Sequence, residues 1–519
     1  MNIGIDLGTT NTSVCFFSQE HNTYDYLHFD ENTLNYFPSM ITYRPDSDIP
    51  LIGFNARKKM HIKGSHYFLG REIKLQLGKN TFVRNHTVMD LLTDQLAAIL
   101  NKFFEEKKVK PDHIVLTVPA KWMNKSGNGR EIEMLRQVFH SLGFDKTDVS
   151  FESEPVAATA FFCHEVMKDS FSGYCLVVDY GGGTLDATLC RVAQNREIHV
   201  VYTTGVTGEA GLGCAGEAFD IEICHSIIHN NEIDIPASAK DENGNLNTSS
   251  KWFLKLMRSV EEGKITDTTK TTTGLTAYYS SDKSEKKRLF QKSAFEVTYD
   301  DEETYEVTIG DVVTAFEKVN LPSLKELLED IRKFCKDSDI ELNPNSFCII
   351  PTGGFSGLFC MDETIRHVFN SDYQRKEIAL LDRNARSTAI AHGAAILADE
   401  LLSVVPVCHA DIGFFFYDAF SEEKKKITLI HKNESERTYK EAVFADLCFE
   451  AGLYDKTPIL ELFCESNSFF VPVNDLCPAA GNSQPEYRFG FAIEEGIPLL
   501  YSKDKNENTR VKSLEYILK

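Results

Sequence analysis

Two glycine-rich segments, each opened by an aspartate, carry the residue types best suited to chemistry in this sequence. One lies at residues 4–11 (GIDLGTTN) and the other at residues 179–186 (DYGGGTLD). Each predicts a strand, a tight turn and a second strand, with Asp6 or Asp179 at the mouth of the turn. Glycine lets the backbone approach an anion closely and leaves successive N–H groups free to cradle phosphate oxygens.

The aspartates add a requirement for a cation to this pattern. A carboxylate beside such a turn repels phosphate unless Mg²⁺ lies between them, so each pairing indicates a metal–nucleotide site. The alternative for either segment alone is an ordinary hairpin turn, which glycine-rich sequences also favour. Because the pattern occurs twice, we expect two similar half-domains that grip one nucleotide.

The composition is that of a globular protein with a strong negative charge. The chain has 519 residues, a net charge of −22 and 42% hydrophobic residues. This length exceeds what one hydrophobic core serves, so two or more domains are expected. The charge argues against nucleic acid or an anionic membrane as a partner. A phosphate site must therefore be local, built from backbone amides, a metal ion and a few lysines.

The cysteines and the first residues of the chain indicate the cellular compartment of the protein. The 13 cysteines are scattered, odd in number and without a CxxC pair, which predicts buried thiols in a reducing compartment. A strand is predicted from residue 3, so no signal peptide is expected, and no apolar run reaches membrane-spanning length. These features predict a cytoplasmic location.

The spacing of apolar residues favours an α/β fold class for most of the chain. Strands are predicted over the first forty residues, at 112–120 and at 347–351, where a third glycine-rich turn follows. Short strands are also expected at 275–305. Helical spacing marks the segments 88–107, 135–142, 156–167, 217–228, 251–264, 309–335 and 385–402. After an apolar link at 404–407, residues 408–519 have strand-like runs and little helix, which predicts a compact β domain.

The two aspartate–glycine segments and a series of further motifs resemble the Hsp70 family, within the actin-like ATPase superfamily. The further motifs are 52–56 (IGFNA), 116–120 (LTVPA), 154–158 (EPVAA), 216–220 (GEAFD), 352–354 (TGG) and 389–395 (AIAHGAA). Their order and spacing hold over residues 1–403, where chance agreement on so many motifs is negligible.

The resemblance implies a two-lobed, actin-like nucleotide-binding domain with RNase H-like βαβ lobes over residues 1–403. Lobe I would span 1–170 with a subdomain at 36–110, and lobe II would span 171–403 with a subdomain at 216–305. The link at 404–407 would join this domain to a β-sandwich-like substrate-binding domain at 408–519. Motifs at 430–434 and 486–499 are similar to that domain, and no helical lid follows them.

Carried over residue by residue, the resemblance implies a catalytic set. Asp6 and Asp179 would hold the waters around Mg²⁺, and Lys74 would orient the attacking water. Glu154 would contact the metal shell, and the Thr184 hydroxyl would reach a phosphate or the attacking water. The implied nucleotide-binding set consists of Gly8, Thr9, Thr10, Asn11, Gly181, Gly182, Gly183, Gly216, Glu217, Glu261, Lys264, Gly353, Gly354 and Phe355.

Several of these residues have plainer explanations that the sequence leaves open. Lys74 has the alternative of a surface lysine, and Glu154 that of an acid favoured at a helix N-terminus by the helix dipole. Glu261 and Lys264 would need no explanation as solvated charges on a helix.

The sequence departs from the family pattern around the base. Residues 353–357 read GGFSG where the family usually has Gly-Gly-Ser-Thr-Arg, so the arginine that packs on adenine is absent. Phe355 replaces a small hydroxyl residue, Ile265 stands where a basic residue often occurs, and Ser387 takes a usually acidic position. The triphosphate machinery is whole, whereas the base pocket is altered.

The resemblance implies a molecular chaperone that couples slow hydrolysis of ATP to ADP with binding of unfolded or extended peptide. The implied cofactors are ATP or ADP and Mg²⁺, with K⁺ allowed. The implied partners are peptide clients, a J-domain co-chaperone and a nucleotide-exchange factor, around a monomer. The main alternative is a filament-forming or scaffold ATPase of the actin superfamily. A small-molecule kinase would need a base aspartate beside a sugar pocket, for which the sequence has no motif.

Overall fold

The computed structural model describes the chain as a mixed α/β protein with several sheets. The description leaves out residues 30–33, 45, 60–67, 72, 80–81, 84, 124–129, 169, 195, 206–214, 300–302, 344, 370–380, 383–384, 406–407, 409, 419–422, 433, 451–458, 465–466, 478–485, 495–496 and 515–519. Half of the predicted link at 404–407 therefore lies outside the described residues.

Six strands form the first sheet: β1 (Ile3–Leu7), β2 (Asn11–Ser18), β3 (Thr23–Tyr26), β4 (Phe37–Pro38), β10 (Ile114–Val118) and β11 (Val149–Ser153). Their order is β11-β10-β1-β2-β3, with β4 beside β2. β1 lies antiparallel to β2 across the first glycine-rich turn and parallel to β10. Asp6 is therefore held between two neighbouring strands.

Smaller elements lie between β4 and β11 in the chain, among them two small separate sheets. They are β5 (Met40–Arg44), β6 (Ser47–Ile52), α1 (Gly53–Lys59), β7 (Phe68–Arg71), a 3-10 turn at Ile73–Gln76, β8 (Phe82–Val83), β9 (His86–Thr87), α2 (Val88–Lys107), α3 (Ala120–Met123) and α4 (Arg130–Ser141). The helix predicted at 88–107 has these bounds, because Thr87 and Asp90 form a capping box at its start.

The second sheet repeats the arrangement of the first. Its strands are β12 (Gly173–Tyr180), β13 (Leu185–Val192), β14 (Glu197–Gly205), β17 (Phe347–Thr352) and β18 (Ser403–Val404), in the order β17-β12-β13-β14-β18. β12 lies antiparallel to β13 across the second glycine-rich turn and parallel to β17, as β1 does to β2 and β10. Asp179 thus occupies in this sheet the position that Asp6 occupies in the first.

A mainly helical region separates β14 from β17. It comprises α6 (Gly216–Asn230), α7 (Lys251–Thr266), α8 (Thr268–Ser280), α9 (Lys283–Phe290), β15 (Ser293–Tyr299), β16 (Glu303–Thr308), α10 (Ile309–Ala315), a π-helical turn at Phe316–Asn320 and α11 (Leu321–Asp337). The expectation of strands from residue 275 is wrong up to Phe290. The threonine-rich sequence there imitates a strand, but Thr271, Gly274 and Leu275 are buried at helical spacing, and Asp282 caps α9.

Two helices join the sheets: α5 (Glu154–Phe161), continued by a π-helical turn at Phe162–Val166, and α13 (Ala389–Ala398). A further helix, α12 (Phe359–Phe369), was not expected from the sequence. Gly393 of α13 lies so close to α5 that a Cβ atom would be 1.7 Å from the Ala157 carbonyl oxygen. Gly4 of β1 approaches α13 in the same way, at 2.2 Å from the Ala395 nitrogen. Small residues therefore permit backbone contact where the sheets and helices meet.

The described residues after 408 form two sheets around one apolar core. The first sheet has β19 (Ile412–Asp418), β20 (Glu423–Ile430), β23 (Ile459–Cys464) and β24 (Asn467–Pro472) in the order β20-β19-β23-β24. The second has β21 (Val443–Phe444), β25 (Glu486–Glu494), β26 (Ile497–Asp504) and β27 (Thr509–Ser513) in sequence order, with β22 (Phe449–Glu450) beside β25. Phe414 is buried and stacks on Phe491 with ring centroids 4.8 Å apart, whereas Phe415 on the opposite face meets Phe463.

The contact between α5 and α13 generates a stability prediction. Gly393→Ala should lower the free energy of unfolding by about 2 kcal/mol, because its Cβ atom overlaps a backbone carbonyl that cannot move aside freely. Chemical denaturation of both proteins measures the difference. Gly354→Ala is the matched control, because nothing lies within 4 Å of a Cβ atom there. Equal destabilisation by both substitutions would contradict the assigned helix contact.

Candidate nucleotide and metal site

The two sheets and two short elements bring four charged side chains together. Asp6 lies near the end of β1, Asp179 near the end of β12, and Glu154 is the first residue of α5. Lys74 comes from the 3-10 turn and forms an ion pair with Glu154. The Lys74 and Glu154 side chains are only 5% and 13% exposed, so this lysine is a buried partner of the cluster and not a surface lysine.

The electrostatics of this cluster are unbalanced towards negative charge. Burial raises the pKa of Asp6 to about 7, with a further contribution from Glu154, while Lys74 and a hydrogen bond from Thr117 oppose the rise. Burial also raises the pKa of Asp179 well above its ordinary value, with repulsion from Glu154, Asp186 and Asp6 adding to it. Among the described residues, the Lys74 ammonium opposes these carboxylates without compensating them, so the cluster suits an additional cation.

The donor set fits a hydrated metal ion better than a directly ligated one. Carboxylate oxygens are the ligands that Mg²⁺ prefers, and Mg²⁺ commonly keeps several of its waters. Among the described residues, no three or more His, Cys, Asp or Glu side chains are close enough to hold a metal ion by themselves. Asp6 and Asp179 are therefore the residues that would hold Mg²⁺, largely through water and substrate oxygens.

Threonines on the neighbouring parallel strands orient the two aspartates. The Thr117 hydroxyl on β10 donates to Asp6 Oδ1 at 3.2 Å, and the Thr352 hydroxyl on β17 donates to Asp179 Oδ1 at 3.4 Å. The same contact therefore occurs in both sheets. Sequence reasoning assigned no role to either threonine, although Thr117 lies within the motif at 116–120 and Thr352 is the first residue of the motif at 352–354.

The glycine-rich turns face each other beside this cluster. A Cβ atom on Gly182 would lie 2.5 Å from Thr10 Oγ1, so the two turns meet at these residues. In the first turn, the Ser39 hydroxyl donates to the Gly8 carbonyl at 2.7 Å. In the second turn, the Gly181 N–H donates to the Thr184 carbonyl at 3.1 Å, which places Gly183 and the Thr184 side chain at its tip. Thr9 and Asn11 flank Thr10 in the opposite turn.

The start of α6 and the third glycine-rich turn are attached to the second turn. The Gly216 and Glu217 N–H groups donate to the Gly181 and Gly182 carbonyls at 3.2 and 2.8 Å. Gly353 has φ +81°, and a Cβ atom there would lie 2.7 Å from Asp179 Oδ1. The structure therefore brings all three glycine-rich turns to one end of the paired sheets.

The side chains expected around the nucleoside already have partners within the protein. Phe355 is buried between the rings of Tyr180 and Phe219, at centroid distances of 4.9 and 5.2 Å. Lys264 Nζ lies 2.5 Å from Asp220 Oδ1. Glu261 Oε2 lies 3.4 Å from an Arg57 guanidinium nitrogen, which joins α7 to α1.

Buried Arg386 is a further residue that the sequence did not indicate. Its guanidinium donates to the Ser356 carbonyl at 2.6 Å and to Asp362 Oδ1 at 2.8 Å. The Ser356 hydroxyl in turn donates to the Gly353 carbonyl at 2.6 Å. Arg386 therefore stabilises the conformation of the third turn from its buried side. A lone arginine outside any motif gives no sequence signal for this role.

Comparison with known proteins gives a partial similarity. No family model matches the chain. Over 218 residues the chain is 27% identical to the chaperone protein DnaK of Thermoplasma volcanium. The match covers 40% of this chain and 33% of that protein, so the chain spans about a third of the length of this relative. The similarity indicates Hsp70-like relatedness in part of the chain.

The raised pKa of Asp6 generates a pH prediction. Its carboxyl binds a proton more tightly in the folded protein than in the unfolded chain, so the metal-free protein should lose stability as pH rises from about 4 through 7. In Asp6→Asn this loss should be smaller by on the order of 1 kcal/mol. Chemical denaturation in the presence of a chelator, at pH 5 and at pH 8, measures the change in the free energy of unfolding. Asp145→Asn is the control, because Asp145 is an exposed aspartate. The same pH dependence in wild type and Asp6→Asn would refute the placement of Asp6 in the cluster.

Proposed function

We propose that residues 1–403 are a two-lobed, actin-like ATPase domain that binds Mg²⁺–ATP and slowly hydrolyses it to ADP and phosphate. The observation that carries the proposal is the cluster of Asp6, Lys74, Glu154 and Asp179 beside the facing glycine-rich turns. Lobe I would span 1–170 with its subdomain at 36–110, and lobe II 171–403 with its subdomain at 216–305. The repeated strand arrangement of the two sheets supports this division.

In this proposal each group of the chain has a distinct task in phosphoryl transfer. The amides of residues 8–10, 182 and 183 hold the β- and γ-phosphates, because successive N–H groups at a glycine turn form an anion site. The Gly181 N–H closes the second turn on the Thr184 carbonyl instead. Asp6 and Asp179 hold the cation, which neutralises charge on the phosphates. Gly216 and Glu217 at the start of α6 support the phosphate site by donating their N–H groups to the carbonyls of the second turn. K⁺ would add a second cation to the same carboxylates.

Lys74 and Glu154 position the attacking water in the proposal. The Lys74 ammonium lies in a buried setting beside the carboxylates, where its charge acts more strongly than in water. Glu154 fixes that ammonium and, as the first residue of α5, connects it to the helix between the sheets. The Thr184 hydroxyl, at the tip of the second turn, adds a donor towards the phosphate or the water.

We further propose that the chain is an Hsp70-like chaperone that couples this hydrolysis to binding of extended peptide at residues 408–519. The partial similarity to a chaperone and the two-sheet arrangement of this region support the proposal. A β-sheet region binds extended peptide through free strand edges and apolar pockets. The edge strand β24 carries Phe470, which is 70% exposed.

We also propose a location, an oligomeric state and partners for this protein, on the basis of its resemblance to the Hsp70 family. The protein would act as a cytoplasmic monomer with a J-domain co-chaperone and a nucleotide-exchange factor, and without nucleic acid or membrane as a partner. None of the helices among the described residues combines the length and apolar character needed to cross a bilayer.

The role of Lys74 is tested by hydrolysis kinetics. Lys74→Ala should lower kcat for ATP by about 100-fold or more while ATP still binds, because a positioned charge is lost from a water-poor site. Lys79→Ala is the matched control, since it lies in the same segment with an exposed side chain. Asp179→Asn should weaken Mg²⁺-dependent ATP binding itself. If both site variants hydrolyse ATP at the wild-type rate, the site assignment is wrong.

The chaperone role is tested against the filament alternative. An extended apolar peptide should raise the rate of ATP hydrolysis, and truncation after residue 403 should abolish this stimulation without removing basal hydrolysis. In sedimentation with Mg²⁺–ATP at micromolar concentration, the protein should remain in the supernatant. Polymer in the pellet, with no effect of peptide on hydrolysis, would favour a filament-forming or scaffold ATPase instead.

A further inference from the structure

The candidate site has two parts that differ in the groups they present to a ligand. We call the part at Glu261, Lys264 and Phe355 the base end, and the part at Asp6 and Asp179 the phosphate end. At the phosphate end, several carboxylates share one ammonium and the cluster suits an added cation. At the base end, the polar side chains are engaged with each other. This contrast bears on which nucleotides the site accepts.

Two charged groups at the base end are held in ion pairs. Lys264 is joined to Asp220 at 2.5 Å, and both side chains are largely buried, at 21% and 11% exposure. Glu261 is joined to Arg57, whose guanidinium also lies 3.7 Å from Glu262. Breaking such a partly buried pair to reach a base or a ribose would leave an uncompensated charge behind.

The third glycine-rich turn likewise keeps its polar groups within the protein. The Ser356 hydroxyl and N–H both donate to the Gly353 carbonyl, and the Ser356 carbonyl accepts from Arg386. Phe355 is only 6% exposed, so its ring face is used by Tyr180 and Phe219 and is not offered to a base.

What remains open beside the turn is small and apolar. Nothing lies within 4 Å of a Cβ atom on Gly354 or Gly357. On the facing helix α7, Ile265 follows Lys264 and is 46% exposed. Lys264 Nζ lies 5.7 Å from the Phe355 ring, which places the end of this lysine side chain beside the turn. Such a surface covers the flat face of a base without reading the donors and acceptors on its edge.

We infer that this site takes Mg²⁺-bound nucleoside triphosphates by their phosphates and scarcely discriminates between purine bases. The base rests on the open surface between Ile265 and the glycines at 354 and 357. The inference rests on the proposed function of the phosphate end. Discrimination requires buried polar groups that the wrong base leaves unpaired, and the groups available here are already paired in the protein.

Equilibrium binding of three purine nucleotides to the full chain tests the inference. ATP, GTP and ITP have the same ring system and differ in the edge of the base. With Mg²⁺ at pH 8, their dissociation constants should agree within about fivefold. If the protein recognised the base edge, loss of one hydrogen bond to it would change the dissociation constant by about tenfold or more. A larger preference for any of the three overturns the inference and leaves the proposed ATPase intact. Absence of binding of all three overturns both.

A substitution on α7 tests where the base lies. Ile265→Arg should tighten ATP binding by about tenfold, because a guanidinium stacks on a base. Ile265→Leu is the matched control, and binding of inorganic tripolyphosphate should be unchanged in both variants. The side chain is exposed, so neither change should prevent folding. Unchanged ATP affinity in Ile265→Arg, with both variants folded, would overturn the placement of the base against Ile265.

Discussion

Repulsion among buried carboxylates that converge from two similar sheets is the constraint on which the rest of the account depends. Asp6 and Asp179 each lie near the end of a strand, next to a glycine-rich turn. Each accepts a hydrogen bond from a threonine on the neighbouring parallel strand. Glu154 adds a third carboxylate, and Lys74 is the cation that opposes them among the described residues. Such an arrangement is costly unless a cation joins it, and a cation placed there attracts phosphate.

The supporting structure holds these charges together despite their repulsion. α5 and α13 cross with Gly393 against the Ala157 carbonyl, and Gly4 brings β1 onto α13. These contacts fix the distance between the sheets, so the turns that follow Asp6 and Asp179 meet at Gly182 and Thr10. The base end is held differently, through the ion pair of Lys264 and the buried guanidinium of Arg386. Its charged groups form pairs with one another, whereas the carboxylates of the phosphate end repel each other.

The sequence predicted the parts of this arrangement that depend on local chemistry. Asp6 and Asp179 were recognisable because the same aspartate–glycine pattern occurs twice in the chain, which a single hairpin turn would not explain. Helix 88–107 was recognisable from its capping and its apolar spacing.

The strand predicted within residues 275–290 was wrong, because β-branched threonines resemble a strand until the buried side of the helix is known. Arg386 and Asp220 could not be found, because their partners are distant in sequence or visible only once α6 and α7 are packed. That Lys74 is buried was equally invisible, since the residue type alone favours the surface.

The most direct measurement is a crystal structure of the protein with Mg²⁺ and a non-hydrolysable ATP analogue. The account predicts a hydrated metal ion between Asp6 and Asp179, the phosphates against the amides of residues 8–10, 182 and 183, and Lys74 facing the γ-phosphate. Density for the nucleotide away from these turns, or phosphates bound there without a metal ion, would contradict it.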